Sequence, residues 1–167
     1  MFKSTVQFVD KIRSSVGKAF KSKLAFDSNV TLTLYGADGR VKDVRKVHNT
    51  VVAACLEGTM DQLLASPTLA KPGWMEVGTG SPGATLLGAY VAGSRTALSA
   101  KTRSGAVVTM RCTFAAGVGT GALTEAGVFS IATENTVPMY LSASFGVITK
   151  AAADSLEIVW TMTAANS

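Results

Sequence analysis

Gly78, Gly80 and Gly83 spell G-x-G-x-x-G directly after the short run "WMEV". Glycines at this spacing let backbone amides approach a pyrophosphate, whose charge is then taken up at the start of a following helix. That chemistry needs a strand ahead of the turn, a helix opening at the last glycine, and an acid about 20 residues on for the ribose hydroxyls. "WMEV" supplies the strand, but Pro82, Gly88 and Gly93 interrupt the helix, and no Asp or Glu occurs between Val77 and Thr124. The glycines are therefore expected to serve a sharp strand end and close backbone packing rather than a cofactor.

Other reactive residues are sparse. His48 is the single histidine, preceded by Arg45 and Lys46 with no carboxylate or cysteine beside it. It reads as a strand-end or helix-cap residue, and a hydrolase built on it ranks last among the readings. Glu57 and Asp61 stand four apart on a predicted helix, which reads as a like-charged pair on a solvated face. Cys55 and Cys112 fit no redox or zinc spacing and read as small buried thiols in a reducing compartment, without a disulfide. No calcium loop, zinc-protease helix, P-loop or serine elbow is present. The expectation is a non-enzyme with no catalytic, cofactor or metal-ligating residues.

The elements that would position these groups are mainly strands. From Ser28 the pattern has period two: Val30, Leu32 and Leu34 against Thr31, Thr33 and Tyr35. Asp38-Gly39 marks a hairpin, and "VKDVRKV" returns as a charged edge strand. "NTVVAACLEGTMDQLLASP" predicts one internal helix capped by Asn49 or Thr50, with Val52, Leu56, Met60 and Leu63 on one face. Further strands follow in "VVTMRCTF", "MYLSASFGV" and "LEIVWTMT"; in the second of these, Met139, Leu141, Ala143, Phe145 and Val147 share a face. Turn-rich stretches separate them, so the fold expected is an antiparallel β-sandwich or small barrel with one internal helix. A chain of 167 residues, 47% apolar and 16% charged, suits one such domain.

Residues 1–24 read differently, as an amphipathic helical arm ahead of a domain at 25–167. Phe2, Val6, Val9, Ile12, Val16, Phe20 and Leu24 recur every three or four residues, with Lys3, Lys11, Lys18 and Lys21 opposite. Only Asp10 offsets the arm's Lys and Arg residues, so the arm carries the whole net charge of +5 and the rest is balanced. Lys3, Lys11 and Arg13 leave no unbroken apolar stretch for a signal peptide. The stripe could pack on its own core or a sister subunit, or dock on a larger acidic protein surface. Nucleic acid and membrane are not the expected partners, because aromatic residues are not interleaved with the basic ones as a base-stacking surface requires.

The order of the pieces resembles a widespread group of tailed-bacteriophage virion proteins. Carrying the resemblance are Gly78-Thr79-Gly80 at a strand end, Thr85 to Leu87 leading to Arg95, "TEAGVF" at Thr124 to Phe129, and the closing pair from Phe145 to Thr163 with Lys150, Asp154, Ser155, Leu156 and Trp160. It covers roughly residues 28–163 and leaves the arm out. Gly88-Ala89 stand where members often carry an acid before the arginine, which leaves Arg95 without that salt-bridge partner. The resemblance implies a non-enzymatic β-sandwich assembled into the virion, with the major capsid protein or other virion proteins as partners. Capsid decoration or cement is the leading role, and trimers are common for such proteins. A tail, baseplate or fibre component is the alternative within the same group, and a small ligand- or carbohydrate-binding sandwich lies outside it. Mature shells are often acidic outside, so the arm could be steered onto one.

Overall fold

A computed structural model describes residues 24–166. The proposed arm contacts, Phe2, Lys3, Val6, Val9, Lys11, Ile12, Val16, Lys18, Phe20 and Lys21, lie outside the described residues. Leu24, expected to end the arm, instead opens the first strand, β1 (Leu24–Tyr35), which begins four residues earlier than the periodicity from Ser28 suggested. There follow β2 (Val41–His48), β3 (Thr50–Val51), α1 (Ala53–Asp61), β4 (Trp74–Gly78), β5 (Thr96–Ala97), β6 (Ala100–Ser104), β7 (Val107–Phe114), β8 (Gly121–Phe129), β9 (Met139–Lys150) and β10 (Ser155–Asn166). The described residues are mainly β, forming two antiparallel sheets and one short helix. The short β5 and β6 were not anticipated.

One sheet runs β2-β1-β10-β7-β6 and the other β3-β9-β8-β4-β5. The first and last strands pair along their whole length, from Leu24 opposite Asn166 to Tyr35 opposite Ser155. Both sheets turn apolar faces to one core: Val30, Leu32, Cys112, Phe114, Ile158 and Trp160 from the first, Met75, Val77, Leu123, Val128, Leu141 and Ile148 from the second. The Trp160 indole N–H donates to Ser28 Oγ at 3.2 Å, satisfying a buried polar group that would otherwise weaken this packing. The Asp38-Gly39 hairpin forms as expected, with Gly39 at φ 75° and the Arg40 amide donating to Asp38 Oδ1 at 3.0 Å. Charged β2 occupies an edge, where its Lys and Arg side chains discourage pairing with another strand.

Two expectations about facing residues fail for local reasons. In β9 the register jumps from Ser144 opposite Glu125 to Ile148 opposite Leu123. The bulge turns both Gly146 and Val147 outward, so Val147 is 54% exposed while Phe145 and Ile148 both reach the core. In α1 the N-cap is Val52, without a side-chain cap; Asn49 and Thr50 belong to the crossover and β3. The buried face is Cys55, Gly58 and Asp61, not the anticipated stripe. Gly58 lies against the Tyr140 ring of β9, and the Tyr140 hydroxyl donates to the Ala70 carbonyl at 2.8 Å. The helix thus approaches the sheet on its smallest residue, and Leu56, Met60 and Leu63 are left outside.

Candidate functional site

The glycine loop does bind an anion, and the anion is the protein's own Glu125. Gly78 ends β4, and no helix opens at Gly83: residues 79–95 hold no helix and no strand apart from the bridge between Gly78 and Tyr90. The Glu125 carboxylate, on the adjacent β8, is fully buried beneath them. Its Oε1 accepts from the Gly80 amide at 3.0 Å and the Ala89 amide at 2.8 Å, and its Oε2 from the Gly88 amide at 2.9 Å. The neighbouring Thr124 hydroxyl donates to the Gly80 carbonyl at 2.7 Å. A Cβ at Gly78 would run into Glu125, and one at Gly88 into the Ser81 backbone, which is the physical reason for glycine at both. With its amides committed to a fixed negative charge, the loop would repel a phosphate rather than cradle it.

A second buried constellation forms around Arg95. Its Nη2 meets Glu76 Oε2 at 2.9 Å, with both side chains 1% exposed. Nη1 donates to the Ile131 carbonyl at 2.8 Å, and the guanidinium lies 3.6 Å from the Phe129 ring centroid. Burial pushes the Glu76 carboxyl above its ordinary range, and Arg95 pulls it part of the way back. The Arg95 backbone amide donates to Glu134 Oε1 at 3.1 Å, a bond that holds the Glu134 carboxyl below its ordinary range. Arg95 was expected to lack a salt-bridge partner at Gly88-Ala89; it pairs with Glu76 of "WMEV", on an adjacent strand.

Further acids also serve the scaffold. Asp61, expected on a solvated face with Glu57, turns inward and accepts the Thr68 and Leu69 amides at 3.1 and 2.9 Å. Those backbone bonds, the Leu69 one foremost, hold its carboxyl below the usual range. Asp154 pairs with Lys42 at 2.7 Å and accepts the Ala151 amide at 3.1 Å, tying the β9–β10 turn to the edge strand. The buried Lys150 ammonium donates to the Ala115 carbonyl at 3.0 Å.

His48 stands exposed at the end of β2, on a groove of about 690 Å³ that also holds Glu57, Ser142 and Ser144. No hydrogen bond among the described residues joins it to those groups, so no nucleophile–base pair is assembled there. Cys55 and Cys112 are buried and free, as expected; burial pushes the Cys112 thiol up to about 12. No group of three or more His, Cys, Asp or Glu converges on a metal-sized site among the described residues.

What remains open to a partner is apolar surface. Leu56, Met60, Leu63 and Leu64, on α1 and the turn after it, are 47, 50, 78 and 58% exposed. Beside them a groove of about 640 Å³ opens between α1 and the ends of the two sheets. Sequence periodicity groups Leu56, Met60 and Leu63 with Val52 on one face; in the structure Val52 is buried and the other three are exposed. The groove left no mark in the sequence, because its walls come from segments far apart in the chain. No protein-family model, curated protein or solved structure matches the chain.

Proposed function

We propose that the chain is a non-enzymatic structural protein of a tailed-bacteriophage virion, a β-sandwich that acts through protein–protein contacts, with capsid decoration as its leading role. The observation that carries the contact reading is the stripe Leu56, Met60, Leu63 and Leu64, which no other described residue covers. Large apolar side chains grouped on an exposed helix and the turn after it cost free energy in water and mark interaction surfaces. The buried acids support the same reading: Glu76, Glu125 and Asp154 are spent on arginine, amides and lysine inside the scaffold. The virion assignment rests on the ordered motifs from Gly78 to Thr163. Their polar members Thr124, Glu125, Arg95 and Asp154 all act as internal ties, as a fold signature would require.

The test is binding to particles. Met60→Glu with Leu63→Glu, both at exposed positions, should leave the circular dichroism spectrum unchanged and sharply lower occupancy on particles lacking the protein. Unchanged occupancy refutes the stripe as the contact. Copy number separates the roles: hundreds per particle for decoration, a few to a few dozen for tail or baseplate.

A further inference from the structure

The groove beside α1 lies where β1 begins and β10 ends, and among the described residues no layer covers the sheet interior there. Its floor includes Phe26, Met110, Tyr140, Leu141 and Met162. Lys71, Lys101 and Arg103 stand along it, and no Asp or Glu does. Lys101 Nζ donates to the Pro72 carbonyl at 2.8 Å and Arg103 Nη1 to the Gly105 carbonyl at 2.7 Å, so neither charge is neutralised. Five cations elsewhere are matched: Arg40, Lys42, Arg45, Arg95 and Arg111 each meet a carboxylate. Among the described residues the exposed cations without one are Lys46, Lys71, Lys101 and Arg103, and all but Lys46 line this groove.

We infer that the groove is a docking site for a segment of a partner protein that presents apolar side chains flanked by carboxylates. Apolar burial on the floor supplies affinity, and the three cations select negative flanks and raise the encounter rate. The chain's own residues 1–23 join at Leu24, two residues before Phe26, but their net charge of +5 is of the same sign as the groove. A second copy is poorly matched too. Among its described residues the exposed carboxylates without a cation are Asp27 and Glu57, on different elements. The inference rests on the reading of the protein as one that works by contacts, and it adds the chemistry of the partner.

The experiment uses the purified full chain and synthetic peptides, so it can fail independently of particle binding. Fluorescence anisotropy compares a short labelled peptide of leucines spaced three and four apart among glutamates with its lysine counterpart and with oligoglutamate. The acidic apolar peptide should bind roughly tenfold or more tighter than either, a difference of about 1.4 kcal/mol. Its binding should weaken with salt, because exposed charges are screened. Lys71→Glu with Arg103→Glu, both exposed, should reverse the preference, and Ala164→Trp should abolish binding by filling the groove. Equal binding of the acidic and basic peptides, or binding indifferent to the charge reversal, overturns the inference. So does tighter binding after Val16→Ser with Phe20→Ser, which makes the chain's own arm the occupant. Self-association that Ala164→Trp removes overturns it in favour of a second copy.

Discussion

Glu125→Gln isolates the charge that holds the glycine loop. The substitution keeps the side chain's shape and leaves one carbonyl oxygen able to accept the Gly80 and Ala89 amides. It places an NH2 donor opposite the Gly88 amide, 2.9 Å from the present Oε2. Hydrogen bonds to a charged group contribute about 1.5–3 kcal/mol each and neutral ones about 1 kcal/mol, while an orphaned buried donor costs about 1–3 kcal/mol. Release from burying a carboxylate offsets part of this, but three amides already replace much of its hydration. The expected net loss is about 2–4 kcal/mol, which for a chain of this size lowers Tm by roughly 5–15 °C. Urea and thermal unfolding followed by circular dichroism measure both. Glu157→Gln is the control: its pair with Arg111 is 22 and 48% exposed, and its loss should stay below about 1 kcal/mol. A Glu125→Gln loss below about 0.5 kcal/mol would refute the reasoning, because the loop would then not depend on the ionised carboxylate.

Arg95→Leu should cost about 3–5 kcal/mol by stranding Glu76, and much of that should return in the double variant Arg95→Leu with Glu76→Leu, read from urea midpoints. Because the folded Glu76 carboxyl titrates above its unfolded range, its effect on stability is least unfavourable at low pH and worsens as pH rises through that window. Arg95→Leu should steepen this decline, visible in urea midpoints measured from about pH 4 upward. Asp154 has the opposite sign. Lys42 chiefly holds its carboxyl low, so its contribution is full above about pH 4 and is lost as pH falls through the folded pKa; Asp154→Asn should flatten the acid limb of the same curves. Gly58→Ala should destabilise by about 1–3 kcal/mol in urea unfolding, because the new methyl meets the Tyr140 ring. That outcome runs against the gain of up to about 1 kcal/mol expected of alanine in an unhindered helix.

Much of the architecture is local and was legible. Period two in Val30, Leu32 and Leu34, the Asp38-Gly39 turn and the alternation through Met110, Cys112 and Phe114 state which faces go inward, and the core obeys them. Those signals survive because each depends on residues within one strand or turn. Phase slips such as the one at Gly146 and Val147 did not show, since a bulge is a mismatch between two strands and neither strand alone encodes it.

The site depended still more on distant partners. The sequence by itself determined that Gly78, Gly80 and Gly83 follow a short strand with no acid placed for a ribose, and the close packing expected of them is met at Gly78 and Gly80. Only the tertiary structure decided what fills the anion position, because Glu125 stands 45 residues from Gly80 and arrives through the pairing of β4 with β8. It likewise decided that Asp61 turns inward, that Arg95 finds Glu76, and that α1 buries Gly58 and leaves Leu56 and Met60 outside. A periodic stripe shows that a helix has an apolar side. Which side the sheet can accept is a steric question, settled here where the Tyr140 ring leaves room for a glycine and nothing larger.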